Sequence, residues 1–322
     1  MAVEELRRLS ADVLGEIGVR EEVAEAVAQH LVEAEATGHA THGVLQLPSL
    51  VRDIRAGVLD PNADPVIETR GAQMLVDARR AVSHWALPGI VDCAVEAARR
   101  DGACTAYIRN IGSTGRLGAY VARAARRGMA ALFVTGSLGQ PHEALVAAFG
   151  GRERLLGSNP IAFAAPTSGA PLVVDLSTAA TTMGELRRSR LLGVPLESPA
   201  VIDSSGELSR EPAAFYAGGA IVPAAGHKGY ALALMAAALG ALSGGHTADG
   251  RLAGSFLLVI RPASETYATE LRVALDRVRS TDGVRVPGDR PGRTGHQEEQ
   301  FKVAVPVVVL QEINRIREGR NR

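Results

Sequence analysis

Apolar residues recur at helical spacing through the first forty positions, at Leu6, Leu9, Val13, Leu14 and Ile17, then at Val23, Ala26, Val27, Leu31 and Val32. Steps of three and four residues put one apolar stripe on each of two amphipathic helices, which Gly18 and Gly38 punctuate. A third helix is expected after Gly43, running through Val51 and Ile54 to a stop at Gly57, with Pro61 and Pro65 marking the turn beyond. Extended segments follow at Val66 to Arg70 and Met74 to Asp77. A helix from about Leu87 to Arg100 then leads into a strand from Ala103 to Arg109, and a helix from about Arg116 to Arg127 into a strand from Ala130 to Thr135. Further strands are expected at Ile161 to Ala165 and Leu172 to Asp175. This alternation predicts an α/β sheet.

Thr178 to Leu192 reads as helix-rich and Gly193 to Gly218 as irregular. His227 to Leu242 is a long helix that is apolar all round, a pattern that predicts burial on every side. The tail offers a strand from Ser255 to Ile260, a helix from Glu265 to Arg279, a turn at Val286 to Asp289, a polar loop to about Gln300 and a last helix from Val307 to Glu318. These elements divide the 322 residues into a helical region over 1–70 that packs with the C-terminal segment, an α/β domain over 71–305 and a C-terminal helix over 306–322.

Composition narrows the partners. Thirty-five basic residues balance thirty-five acidic ones, so no charge field points to nucleic acid or an anionic membrane, and small molecules are the expected partners. Cys93 and Cys104 lack CxxC spacing and are expected to be reduced, structural thiols. The N-terminus is charged from its fourth residue and lacks a signal-peptide core, and no apolar run reaches membrane-spanning length. A soluble, cytoplasmic protein is therefore expected.

The positive charge is carried almost wholly by arginine, with lysine only at Lys228 and Lys302. Lys228 lies in Gly226-His227-Lys228-Gly229-Tyr230, at the start of the apolar helix. An ammonium kept where guanidinium is the rule marks a site candidate, because its compact charge and tunable pKa do what arginine does not; chance placement of a rare residue is the alternative. Neither a Gly-x-Gly-x-x-Gly fingerprint nor a Walker loop is present. The nearest pattern is Gly112-Ser113-Thr114-Gly115-Arg116-Leu117-Gly118, after a strand and opening a helix, where free N–H groups can hold an anion; a glycine-rich turn fits equally well. In Gly38-His39-Ala40-Thr41-His42-Gly43, two histidines three apart share a helix face, but no carboxylate and cysteine set completes a tetrahedral site, so no metal is expected. An imidazole beside a hydroxyl and a glycine suits proton transfer, and a histidine capping a helix end satisfies the same pattern.

Taken in order, several of these segments resemble the type-2 malate/L-lactate dehydrogenases, a family that includes sulfolactate, ureidoglycolate and diketogulonate oxidoreductases and piperideine-2-carboxylate reductase. The resemblance spans almost the whole chain. It is carried by Thr41-His42-Gly43 with Gly57 to Pro61, by Arg109-Asn110 with Gly115 to Tyr120, and by Phe149-Gly150-Gly151 with Gly157 to Phe163. It continues through Asp175 to Thr178 with Gly184-Glu185, Gly226 to Leu232, and Val286 to Asp289. The resemblance implies a homodimer that binds NAD(H) or NADP(H) on a non-Rossmann nicotinamide-binding sheet domain with a helical lobe made from the two ends of the chain. By position the cofactor would meet Asp175, Leu176, Ser177 and Thr178, then His227 and Lys228, and the turn at Gly288, Asp289 and Arg290. His42 would be the proton donor or acceptor, with Lys228 also placed at the catalytic site. Thr41 would hold the place of a family serine, and Glu185 that of a polar residue linked to the same site, a solvated helix charge being its alternative.

Three positions depart from the family pattern. Gln46 stands where an arginine suited to a substrate carboxylate is usual, Ser113 where a histidine is usual, and the stretch from Gly193 to Gly206 keeps Pro195 and Asp203 but lacks the usual tryptophan. Together they imply a retained cofactor site beside an altered substrate pocket that includes Gln46, Ser113 and Arg116. The reaction expected is hydride transfer between the nicotinamide cofactor and a ketone or imine, or the reverse on an alcohol or amine. A conventional 2-hydroxy acid dehydrogenase with Arg116 supplying the carboxylate contact is the second reading, and a catalytically silent binding protein the third.

Overall fold

The N-terminal stripes become α1 (Val3–Gly15) and α2 (Glu21–Ala36), which bury Leu6, Val13, Val27 and Leu31 between them. The structure is a computed structural model and describes residues 1–139, 144–244, 253–289 and 302–317. Two 3-10 turns, Ala40–His42 and Val44–Gln46, lead into α3 (Leu47–Arg55). Pro48 sits in the first turn of α3, where its missing N–H leaves no bond unmade. β1 (Val66–Arg70) and β2 (Gln73–Asp77) form an antiparallel hairpin, and α4 (Ser83–Asp101) crosses over to β3 (Ala103–Ile111), which runs parallel to β2. α4 begins four residues before its expected start, because Ser83 and His84 are buried against the loop after β3, with the Ser83 hydroxyl donating to the Ser113 carbonyl.

α5 (Leu117–Arg126) and β4 (Ala130–Gly136) follow, then β5 (Val146–Ala147), β6 (Arg154–Leu156), β7 (Ile161–Ala165) and β8 (Leu172–Leu176). After α6 (Met183–Leu192) come β9 (Val201–Ile202), β10 (Leu208–Ser209), α7 (Pro212–Tyr216) and β11 (Ala220–Ile221). The chain continues through α8 (His227–Ala241), β12 (Ala253–Ile260), α9 (Tyr267–Arg279) and α10 (Val307–Arg317). Among the described residues the strands form a mixed seven-stranded sheet in the order β1-β2-β3-β12-β4-β7-β8 and a small sheet in the order β10-β9-β11-β5-β6. β12 inserts between β3 and β4, antiparallel to both, so Phe256 lies opposite Tyr107 on one side and Val134 on the other. The expected α/β class is what the structure shows. No helix among the described residues is long and apolar enough to cross a membrane.

Two expectations fail. The stretch from Gly193 to Gly218, expected to be irregular, contains β9, β10 and α7. Strands of two residues are too short to show an alternating pattern, and partners remote in sequence hold them: the Arg154 guanidinium donates to the Gly219 carbonyl at 2.8 Å and lies 3.9 Å over the Phe215 ring. α8 is not buried on all sides. Its small face, Gly229, Ala233, Ala236, Ala237 and Gly240, approaches β4 and β12 so closely that a Cβ on Gly240 would lie 2.7 Å from the Gly136 and Gly254 carbonyls. Its large side chains face outward, with Leu232 40 % and Met235 42 % exposed.

The main core lies between the seven-stranded sheet and α4 with α5. A second core joins α1, α2 and α3 to Val303, Val309, Ile313 and Ile316 near the other end of the chain. The Val303 N–H donates to the Met1 carbonyl at 2.9 Å, and Arg317 pairs with Glu16 at 2.7 Å, so the termini close on each other.

Candidate active site

His42 ends a tight 3-10 turn that Gly38, at φ +75, allows the chain to enter directly from α2. Its Nδ1 lies 3.1 Å from the Thr41 hydroxyl. The turn is held from two sides. Gly43 packs on the Glu35 carboxyl with no room for a side chain, and Glu35 accepts the Val44 N–H at 3.2 Å. On the other side Gly184 of α6 lies against the Thr41 carbonyl, which also accepts the Gln46 amide. Burial pushes the Glu35 carboxyl up to about 7, opposed by the Val44 hydrogen bond and by Arg188.

The opposite wall comes from the loop after β3 and from β8. Arg116 is the residue before α5, and Gly118 in the first turn of that helix donates its N–H to Asp175 at 2.7 Å. Aspartate at a helix N-terminus is held by the free amides and the helix dipole. A Cβ on Gly118 would lie 2.8 Å from the same carboxylate oxygen, so a side chain here would displace Asp175. Asp175 remains solvent-exposed, yet neighbouring groups desolvate its carboxyl: burial raises its pKa, while the Gly118 N–H and the charges of Arg116 and His42 pull it back. Burial lowers His42, with Asp175 opposing and Arg116 reinforcing the shift. Burial also lowers Arg116, again against the pull of Asp175. Arg116 lies 3.3 Å from His39 Nδ1. An imidazole, a carboxylate and a guanidinium from three distant segments thus lie close enough to shift one another's charge, and the region they frame is the candidate cleft.

The other predicted residues divide. Ser177 and Thr178 turn their hydroxyls to the Ser158 carbonyl at 3.1 and 3.0 Å, and Leu176 is exposed beside them. The Thr178 carbonyl accepts the Ala224 N–H at 2.9 Å, which brings this segment to the start of α8. There His227 and Lys228 are exposed; His227 meets the Phe149 ring edge to face at 6.0 Å, and Lys228 makes no hydrogen bond or ion pair among the described residues. Gly288, at φ +93, packs on Val173, while Asp289 is held by a two-point pair with Arg279 at 2.6 and 2.7 Å. Arg290 and the polar loop to Gln300 lie outside the described residues. Ser113 is exposed. Glu185 bonds Arg188 and Ser189 of its own helix, both at 3.3 Å. Of the two thiols, Cys104 is buried and Cys93 exposed.

Sequence reasoning passed over four residues around the cleft: Glu35, and a buried group made by His30, His84 and Tyr120. His30 follows the polar Gln29 within α2, and His84 lies just before the expected start of its helix at Leu87, so neither stood out. The signal was the polar residue at a core-facing position.

The family model described as malate/L-lactate dehydrogenase matches residues 1–314. The chain belongs to the malate/L-lactate dehydrogenase family. It is an oxidoreductase of the dehydrogenase and reductase type, as its relatives are. It is 30 % identical to (2R)-3-sulfolactate dehydrogenase (NADP(+)) of Chromohalobacter salexigens, covering 97 % of this chain and 96 % of that one. It is 31 % identical to Delta(1)-pyrroline-2-carboxylate/Delta(1)-piperideine-2-carboxylate reductase of Pseudomonas putida, covering 95 % and 94 %. Among solved structures, delta1-piperideine-2-carboxylate reductase of Pseudomonas syringae superposes with a TM-score of 0.83 at 27 % identity, over 98 % of this chain and 99 % of that one. The family match thus takes in His42, Arg116 and Asp175 and all but the last residue of the second core.

Proposed function

We propose that this family member transfers hydride between NAD(H) or NADP(H) and the carbonyl or imine carbon of a small 2-oxo or cyclic-imine carboxylate, with His42 handling the proton. The observation that carries the reading is that His42, Asp175 and Arg116, far apart in sequence, converge closely enough to shift one another's charge. When bound, the nicotinamide supplies or accepts the hydride. The protein orients the reacting carbon, and His42 gives a proton to the oxygen or nitrogen during reduction or takes it during oxidation. Asp175 steadies the charged imidazole, and Arg116 offers the guanidinium that a substrate carboxylate requires. Thr41 orients the His42 ring. Gln46, bonded back to Thr41, shapes the pocket without adding charge. On this reading the sheet is a non-Rossmann nicotinamide platform, with the ends of the chain as its helical lobe. The segment from Asp175 to Thr178, the start of α8 and the Gly288 turn form the cofactor's cradle.

The exposed, unpaired Lys228 ammonium in the first turn of α8 suits a cofactor phosphate, since helix N-terminus and cation attract the same charge. NADH and NADPH should bind, and Lys228→Ala should weaken binding roughly tenfold or more in a fluorescence titration, because a charge-assisted hydrogen bond contributes about 1.5–3 kcal/mol. An unchanged dissociation constant in the folded variant would remove Lys228 from the site. Turnover of pyruvate, oxaloacetate and piperideine-2-carboxylate with either reduced cofactor separates the 2-oxo acid from the imine reading. Failure to bind both cofactors would favour a silent binding protein.

The homodimer belongs to the same proposal. Leu232 and Met235 on α8, Leu242 just beyond its end, and Val273 and Val278 on α9 are large apolar side chains left exposed, of the kind that a second copy would cover. Sedimentation at twice the chain mass is expected, and a monomer at micromolar concentration would count against it.

A further inference from the structure

Behind the cleft, polar atoms from three helices meet without protein partners. Tyr120 Oη, His30 Nε2 and both ring nitrogens of His84 are buried and make no hydrogen bond among the described residues. His84 is 3 % and Tyr120 2 % exposed, while His30 is half-buried and reaches the surface of α2. The His30 and His84 rings meet edge to face at 4.6 Å, and His30 stacks on Tyr120 at 5.4 Å. The two histidines gather beneath Gly115, where a Cβ would lie 2.7 Å from His84 Nε2 and 3.4 Å from His30 Nε2, and Tyr120 joins them through its stack on His30. The next residue is Arg116, already in the cleft.

Apolar side chains would fill this volume without leaving any donor or acceptor unpaired. Unpaired polar atoms gathered at one point therefore mark a place where hydrogen bonds are exchanged, and ordered water is the partner that fits neutral donors and acceptors on several sides. We propose that Tyr120, His84 and His30, with bound water, form a proton relay between the cleft around His42 and the surface of α2. The relay rests on the oxidoreductase reading above. During reduction the His42 imidazolium gives its proton to the product oxygen or nitrogen and becomes neutral. One proton then enters at His30, and each relay group accepts one at one atom as it releases another, until His42 is recharged. Oxidation runs the same path outward. No group in the path changes redox state or keeps a net charge.

The titratable and charged groups around the relay are His42 from the 3-10 turn, Arg116 from the loop, His30 from α2, His84 from α4 and Tyr120 from α5. Burial lowers His84 to about 4 and His30 to about 2, and the charges of His42 and, for His30, Arg116 and His84 add to the shift. Both rings therefore rest neutral, each with one N–H and one lone pair.

His84→Gln and Tyr120→Phe in the full-length protein test the relay. Glutamine keeps hydrogen bonding but cannot pass a proton through its side chain. Each variant should lose at least tenfold in kcat with the cofactor dissociation constant unchanged, and the curved wild-type solvent proton inventory should become linear. Nitrogen-15 spectra of the His84 ring should show a changed tautomer balance in Tyr120→Phe. His84→Gln at the wild-type rate while His84→Phe is impaired would mean that His84 only positions the loop, and would overturn the relay. Wild-type rates in both test variants would do the same. A wild-type protein that turns over no substrate defeats the oxidoreductase reading instead; the ring spectra then still decide, since a His84 signal indifferent to Tyr120→Phe refutes the coupling.

Discussion

His42→Ala should lose about a hundred- to ten-thousand-fold in kcat, the usual contribution of a positioned general acid or base, with cofactor binding nearly intact. Its pH dependence follows from the cleft. Burial and Arg116 push the His42 pKa below its ordinary value of 6.5, against Asp175, so the ring is neutral at pH 7 in the open cleft. Alcohol or amine oxidation needs the neutral base, and its rate should rise as pH climbs through that lowered pKa and then level off. Reduction needs the imidazolium, and its rate should fall over the same window. A companion Arg116→Gln variant should raise KM for a carboxylate substrate far more than it changes the pH profile, since it removes a binding contact and not the proton donor. Near-normal turnover in the His42→Ala protein would eliminate this mechanism and move suspicion to Lys228.

The second large effect is on stability in acid. His84 is buried with a pKa of about 4 in the folded chain against an ordinary 6.5, so the unfolded chain binds more protons between these values. Its contribution is fully present above pH 6.5 and is lost as pH falls toward 4. By linkage this loss is about 2–3 kcal/mol for a buried imidazole. His30, lowered to about 2, acts in the same direction. Glu35 acts oppositely: raised to about 7 from 4.5, it contributes stability below pH 4.5 that is lost as pH rises through 7. The histidines outnumber it, so net stability should drop between pH 6.5 and 4.5. Denaturant unfolding of His84→Gln over this range should show a flatter slope, whatever its absolute stability; an unchanged slope would mean that His84 is charged in the folded protein.

The sequence by itself determined the helices and strands with strong periodicity. The stripes of α1 and α2 and the β-rich runs of β3, β4 and β7 appear within a few residues of where their patterns predict, because each must present one apolar face to a core wherever that core lies. The sequence singled out His42 beside Thr41 and Gly43 as a candidate, and the tight 3-10 turn that holds it appeared only in the structure. The resemblance to the family also lay in the sequence, since it rests on the order of short segments. What the sequence did not contain was distance. Strands of two residues have no period, so β9 and β10 took form only through Arg154, Phe215 and Gly219. The outward face of α8 was invisible because hydropathy records how apolar a helix is, not which side its glycines and alanines press onto the sheet. His30 beside Gln29, and His84 ahead of the expected helix start, carried no mark of pairing until folding set them edge to face under Gly115. Tertiary structure alone decided that His42, Asp175 and Arg116 shift one another's charge, because such shifts come from whatever lies close in space, and segments dozens of residues or more apart become neighbours only when the sheet and helices pack.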